Sequence, residues 1–259
     1  MCRMHINTGI YNSDIEMEYT DVEHHYYGNI RVITHDAGIS QWIIKHYVWE
    51  EHLLRLILSY IQPNSTIIDV GANIGTHTIG IAKWLTEHEA GVASKLVAFE
   101  PQPFIFSILE HNLKSYQSTL DVELHPTGLS DTEMTIYMTM PDYGVVQNPG
   151  GYGLEFNIIP DETKTKVDVK RLDDFHYENV SFMKIDVEGH ENQVLKGAVE
   201  TIKKCRPVMI IEILGGVLLE NASLEQLEYI HNTVEYIKSM NYSVRLIEAC
   251  DYICIPNPL

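Results

Sequence analysis

From residue 66 onward the chain alternates short, almost wholly apolar runs with amphipathic ones, and this rhythm constrains the fold more than any other feature. Residues 66–70, 95–99, 122–125, 181–187 and 207–213 read as strands rich in valine, isoleucine and leucine. A strand that is apolar on both faces must be covered on both faces. That is the condition of a parallel sheet with helices packed on either side. Residues 76–87, 103–118 and 191–204 supply such helices, the second with proline at its first position. The expected architecture is therefore α/β, a doubly wound, mostly parallel sheet.

The flanks fit the same plan. Leu53, Leu54, Ile57, Leu58 and Ile61 fall on one face of a helix over 49–61, ended by Gln62-Pro63-Asn64. Ser223-x-x-Gln226 forms a capping box that opens a helix to Met240, with Leu224, Leu227, Ile230, Val234 and Ile237 inward. Residues 243–247 and 252–255 are expected to close one edge as a hairpin. Short strand-like runs at 29–34 and 42–45 fall in a separate stretch of open role, residues 1–45, ahead of a domain over 46–259. Residues 131–170 interrupt the rhythm, hold Gly144, Gly150, Gly151, Gly153, Pro141 and Pro149, and read as a hairpin or flap. An insertion there overhangs the carboxyl ends of the strands, where such sheets bind ligands.

Charge and cysteine content narrow the functions. Thirty-six acidic against 18 basic residues give a net charge of −18. This argues against a protein that grips phosphate backbones, which needs clustered cations; the basic runs at 164–170 and 203–206 are short and carry acidic neighbours. Cys2, Cys205, Cys250 and Cys254 suit neither a disulfide framework nor a zinc site and read as free thiols. The first residues lack an apolar targeting core, and no run of about 18 apolar residues occurs. A cytoplasmic protein without a membrane span is expected.

Three strings carry chemistry. In Ile67-Ile68-Asp69-Val70-Gly71-Ala72-Asn73-Ile74-Gly75-Thr76, a strand runs through a glycine turn into a helix, as in nucleotide folds. Asn73 stands where a dinucleotide fingerprint has its second glycine, and no Gly-Lys-Ser/Thr follows. The turn therefore suits a ligand with an adenosine and an amino acid but no phosphate. Asp69 is placed to accept a hydrogen bond from an ammonium, and Gly71 and Gly75 to leave room for the ligand's chain. In Val97-Ala98-Phe99-Glu100-Pro101 an acid caps the second strand, where it can accept from both hydroxyls of a ribose. The third string, residues 182–191, brings Asp186, Glu188, His190 and Glu191 to the end of the fourth strand, and Glu212 joins them from the fifth. Crowded carboxylates raise at least one pKa and mark candidate catalytic groups. Glu191 reads instead as the acidic start of a helix. Asp186, Glu188 and His190 at one-apart spacing match no recognised metal-ligand pattern, so no metal is expected.

Residues 69–83, 98–101, 128–131, 172–175, 184–197 and 207–213 together resemble the FkbM family of S-adenosylmethionine-dependent methyltransferases. Trp49-Glu50 and residues 251–256 are similar to it as well, and the string Lys-Ile-Asp-Val-Glu-Gly-x-Glu is quite specific. The resemblance implies the class I methyltransferase sheet, with late strands closing one edge antiparallel, and S-adenosyl-L-methionine as cofactor. It implies cofactor contacts from Asp69, Gly71, Asn73, Gly75 and Thr76, ribose binding by Glu100 beside Pro101, adenine near Ser130 and Asp131, and Asp186 at the reaction centre. The expected reaction is methylation of a hydroxyl on a sugar or glycan, or on another small molecule. Asp186 is the expected base, with Glu188, His190 and Glu212 as alternates or hydroxyl binders. Tyr143, Tyr152 and Phe156 would stack on a sugar or pack the flap. Competing readings are an NAD-dependent oxidoreductase, a non-catalytic module and a nucleic-acid methyltransferase, opposed respectively by Asn73, by the paired motifs and by the charge.

Overall fold

The computed structural model describes residues 5–10, 16–88, 94–154, 164–214 and 222–259. An antiparallel three-stranded sheet of β1 (His5–Ile10), β2 (Glu16–His24) and β3 (Gly28–Ile33) opens the chain, followed by α1 (Ile39–Ile44) and α2 (Glu51–Tyr60). Then β4 (Thr66–Val70), α3 (Thr76–Glu87), β5 (Lys95–Phe99), α4 (Pro103–Leu113) and β6 (Asp121–His125) alternate. The interruption holds β7 (Gly128–Leu129), β8 (Met134–Met138) and β9 (Thr165–Lys170). The rhythm resumes with β10 (Val180–Asp186), α5 (Glu191–Gly197), α6 (Val199–Cys205) and β11 (Val208–Glu212). It ends with α7 (Leu224–Ser239), β12 (Tyr242–Glu248) and β13 (Asp251–Pro256).

Among the described residues the central sheet has seven strands in the order β12-β13-β11-β10-β4-β5-β6. The five from β11 to β6 are mutually parallel, and β13 and β12 close the edge antiparallel. Alternation of side chains along each strand divides the core in two. Ile67, Leu96, Ala98, Phe182 and Ile210 pack with β3 and α2 to α4 on one face. Ile68, Val97, Phe99, Met183 and Ile211 pack with α5, α6 and α7 on the other. Burying such a side chain stabilises the fold by roughly 1.5–3 kcal/mol. Strand order reverses at β4, with β5 on one side and β10 on the other, and the switch point opens a crevice at the carboxyl ends.

Four readings of the sequence are corrected. The run at 42–45 belongs to the helix α1, because the Asp36 carboxylate accepts from the amides of Gly38 and Ser40, both at 2.7 Å, and so starts a helix. The helix expected over 103–118 ends at Leu113, with a separate 3-10 turn at Tyr116–Ser118. The helix expected over 191–204 breaks at Ala198, where Asp173 caps α6 through the amides of Glu200 and Thr201 at 3.1 and 2.9 Å. The capping box at Ser223 and Gln226 forms, but Leu224 and Leu227 are exposed; α7 buries Ile230, Thr233 and Ile237. Inward periodicity is converted to burial only where a packing partner lies beneath it.

Residues 131–170 do contain a hairpin, β8 with β9, and β7 adds to it in parallel. The stretch after β8 reaches back over the crevice. There the Ala37 amide donates to Gln147 O at 2.7 Å, tying it to the loop before α1. The N-terminal stretch is held from the other side by Asn112 of α4. That side chain exchanges hydrogen bonds with the Arg31 backbone and donates to Ile74 O at 2.8 Å. Residues 31–39 are thus fastened both to the turn after β4 and to the flap. Cys250 and Cys254 are buried and in no disulfide, with Cys250 Sγ donating to Glu212 Oε1 at 3.2 Å, whereas Cys2 lies outside the described residues.

Candidate active site

The crevice at the switch point is a cavity of about 460 Å³, within the ~300–1,000 Å³ range of small-molecule sites. Its floor is the turn from β4 to α3. The amides of Gly71 and Ala72 both donate to Phe99 O at 3.0 Å, which ties the turn to β5. Gly71 has φ of 83°, and a Cβ there would lie 1.7 Å from the Asp186 carbonyl oxygen. No other residue fits so close to β10. Gly75 also has positive φ, but the space over it is filled by Leu109 and Leu113 of α4. Gly75 therefore serves contact between elements and lies off the cavity, which corrects the expectation that it leaves room for a ligand, whereas Gly71 lines the cavity while packing against β10.

Asp69 is buried, and its Oδ2 accepts from the Thr78 hydroxyl at 2.6 Å. Its Oδ1 is also buried and has no hydrogen-bond partner. An orphaned carboxylate oxygen costs at least 1–3 kcal/mol unless something donates to it. Asp69 lines the cavity, so a ligand cation can do so. Burial, which Lys184 only partly offsets, raises its pKa.

Glu100 stands at the end of β5 and is likewise buried. Its two oxygens accept from the amides of Asn73 at 3.0 Å and Gln102 at 2.9 Å. The carboxylate is thereby fixed across the turn from Asp69, with lone pairs left for a diol. Burial pushes its pKa up to about 7 against the help of those two amides.

At the end of β10, Lys184 and Asp186 lie two apart on one strand and form an ion pair, Nζ to Oδ2 at 2.7 Å. Burial favours neutral Asp186, but Lys184 and a hydrogen bond from Glu212 together hold its pKa below the usual carboxylate range. The same group of carboxylates, led by Asp186 and Asp69, overcomes burial to keep Lys184 charged. Glu212 faces Asp186 in register on β11. Burial and the Asp186 charge push Glu212 up to about 9, so it holds a proton at neutral pH. Glu188 also lines the cavity, and burial lifts it to about 7.

Sequence reasoning missed Lys184, His77 and Glu50. The first was readable, since residues two apart share a strand face. His77 is buried in the first turn of α3, with its Nε2 lacking a hydrogen-bond partner and lying 3.5 Å from Glu50 Oε2. Burial and Lys184 lower its pKa to about 3, so the imidazole is neutral. Glu50, ahead of α2, is pushed up to about 7 by burial.

Other expected site residues lie elsewhere. Thr76 and Pro101 line the cavity; Gly75, Ser130, Asp131 and His190 do not. The wall near the expected adenine position is made instead by Thr127, Gly128 and Leu129. The Ser130 hydroxyl is turned to His190 Nε2 at 3.1 Å and His190 is buried, which removes both from the surface an acceptor would meet. Glu191 is fully buried, accepting from the Gly189 amide at 2.8 Å and contacting the Tyr229 hydroxyl at 2.9 Å, so its role reaches beyond the helix dipole. In the flap, Tyr143 is buried, edge-on to Phe104 and bonded to Gln102 at 2.9 Å, while Gln102 donates to Pro149 O at 3.1 Å. Tyr143 packs the flap down. Tyr152 lines the cavity, and Phe156 lies outside the described residues. Among the described residues no group of three or more His, Cys, Asp or Glu is arranged to hold a metal ion, and no helix is long and apolar enough to cross a membrane.

The sheet order, the turn after β4 and the acid after β5 define a class I methyltransferase fold. Residues 69–244 match the family described as Methyltransferase FkbM domain, and the chain belongs to that family. It is 30% identical over 152 residues to "Methyltransferase 1" of Beauveria bassiana, which covers 52% of this chain and 58% of that protein. It is 29% identical over 181 residues to "Hexuronic acid methyltransferase AglP" of Haloferax volcanii, covering 68% of this chain and 67% of that one. The fold is similar to a crystal structure of methyltransferase FkbM from Methylobacillus flagellatus, with TM-score 0.50 and 18% identity over 75% of this chain and 44% of that chain.

Proposed function

We propose that the protein transfers a methyl group from S-adenosyl-L-methionine to a hydroxyl, and that the hydroxyl belongs to a sugar. The observation that carries the cofactor is the unpartnered, buried Oδ1 of Asp69 in a cavity lined by Glu50, Asp69, Glu100, Asp186, Glu188 and Glu212 with Lys184 as counter-charge. That donor set fits the group. Asp69 would take the ammonium, Glu100 the ribose hydroxyls, and the wall at 127–129 the base. The excess of carboxylates favours a ligand with positive charge at sulfur and nitrogen over a neutral one.

When bound, the cofactor supplies a methyl group on a sulfonium, activated for in-line transfer. The protein has to orient the acceptor oxygen and receive its proton. Asp186 is the proposed proton acceptor: its pairing with Lys184 keeps it ionised, and the protonated Glu212 completes its hydrogen bonding. Its depressed pKa suits an oxygen that takes the proton late, as the new carbon–oxygen bond forms. Lys184 and Glu212 are positioning residues. His77 and Glu50 are proposed to meet the acceptor hydroxyls. The sugar assignment is supported by this polar lining and by the likeness to the hexuronic acid methyltransferase.

Incubation with labelled cofactor and a panel of methyl glycosides and hexuronic acids tests the reading. Label in the sugar is the expected result; label in amines alone, or nowhere despite cofactor binding, overturns it.

A further inference from the structure

A second depression, of about 760 Å³, opens beside the cavity and shares Trp49 and Glu50 with it. Its apolar side is made by Trp42, Tyr47 and Trp49. Trp42 and Tyr47 are 45% and 55% exposed, large aromatic surfaces left to solvent at the mouth of a polar site. They are not loose. Trp42 Nε1 donates to Val48 O at 3.0 Å, and its ring stands edge-on to Trp49 with centroids 6.3 Å apart. Tyr47 lies 5.1 Å from Trp42 on the other side, and the Trp49 amide donates to the buried Tyr27 hydroxyl at 3.1 Å. The groove is also lined by polar side chains: Glu50 ahead of α2 and Glu51, His52 and Arg55 in its first turns.

A fixed aromatic surface beside hydrogen-bonding side chains matches a pyranose ring. The ring's C–H face lies against the negative face of an indole or phenol, and its equatorial hydroxyls point to carboxylate, imidazole and guanidinium. Glu51 and Arg55 pair with each other at 2.5 Å and His52 pairs with Glu248 at 2.9 Å, so these polar groups are held in place where ring hydroxyls can add to them. Continuity at Trp49 and Glu50 fixes the direction of entry. A sugar passing Glu50 comes to His77 and then to Asp186 inside the cavity, and any ring attached to it is left over the groove.

Resting on the glycan reading above, we propose that the acceptor is an oligosaccharide of at least two rings, with the reacting ring in the cavity and the adjoining ring seated on Trp42, Tyr47 and Trp49. The groove then acts as a length-sensing subsite separate from the cofactor's.

Transfer rates are measured for the best acceptor monosaccharide of the panel and for di- and trisaccharides ending in it, with wild type, Trp42→Ala, Tyr47→Ala and the remote control Trp84→Phe. The expected result is a KM at least tenfold lower for the disaccharide than for the monosaccharide. Trp42→Ala or Tyr47→Ala should raise the disaccharide KM tenfold or more with a smaller change in kcat, and Trp84→Phe should not. Because two of the three tryptophans line the groove, the disaccharide should also change the fluorescence of Trp84→Phe protein saturated with S-adenosylhomocysteine. Equal KM for one and two rings, unaltered KM in both alanine variants, or a change of oligomeric state in place of KM overturns the subsite. Binding of S-adenosylhomocysteine, measured separately by calorimetry, tells these failures from failure of the cofactor reading. If the homocysteine binds but no saccharide accepts methyl, the oligosaccharide assignment falls and the cofactor site stands.

Discussion

The two oxygens of Asp69 have different fates, and that asymmetry is what supports the proposed ammonium site. Oδ2 is spent on Thr78 within the fold; Oδ1 is buried with nothing to accept from. Replacing Asp69 by asparagine removes the charge that an ammonium would meet. Affinity for S-adenosylhomocysteine, read by calorimetry, is expected to fall roughly 10–100-fold, the worth of one charge-assisted hydrogen bond. An unchanged affinity would remove Asp69 from the site. Asp186→Asn is expected to keep that affinity within a few-fold while lowering kcat by about 10²–10⁴, the usual span for a lost proton acceptor; single-turnover transfer checks it. Asp69, Glu100, Asp186 and Glu212 were legible from sequence because each ends or nearly ends an apolar strand. His77 and Glu50 were not, since their meeting depends on how α2 packs against α3, which no local pattern records. His190 and Ser130 were misread for the converse reason. Polar residues beside a motif satisfied each other across 60 positions of chain.

At the scale of elements, the strands followed from composition because a doubly covered sheet tolerates little else, and residues 66–70 and 95–99 form strands as expected. The failures fall where a distant side chain decides a helix end. Asp173 caps α6 through two amides and the Thr201 hydroxyl at 2.8 Å, contacts that cross 27 and 28 residues. Asp173→Ala is expected to destabilise the protein by about 1–2 kcal/mol, as loss of a helix cap does, with thermal denaturation as the check. The turn after β4 is less forgiving. A methyl at position 71 meets the Asp186 carbonyl, so Gly71→Ala should either unfold the protein or force β4 and β10 apart and abolish cofactor binding. Normal stability and normal binding in that variant would contradict the observed packing.

Six carboxylates line one crevice of the molecule, and the burial of most of them gives a signed pH dependence. Burial raises Glu50, Glu100 and Glu188 to about 7, Asp251 to about 6 and Glu212 to about 9. The folded protein therefore holds protons that the unfolded chain has already released near pH 4.5. Stability of the unliganded protein should fall as pH rises from about 5 to about 8, because these five carboxylates outweigh His24, His77 and His190, whose lowered pKa values act in the opposite sense below 6.5. The cofactor acts oppositely. In the proposed complex, ribose hydroxyls and an ammonium would favour ionised Glu100 and Asp69, so the cofactor's affinity should rise over the same window with release of protons. Calorimetry in buffers of different ionisation enthalpy measures that release, and proton uptake would reverse the assignment. The most direct test of the cofactor site is a crystal structure of the protein grown with S-adenosylhomocysteine at saturating concentration. The expected density puts the ammonium nitrogen about 3 Å from Asp69 Oδ1 and both ribose hydroxyls on Glu100. Ligand lodged elsewhere, or an empty crevice in crystals grown from protein that calorimetry shows to be saturated, would contradict it.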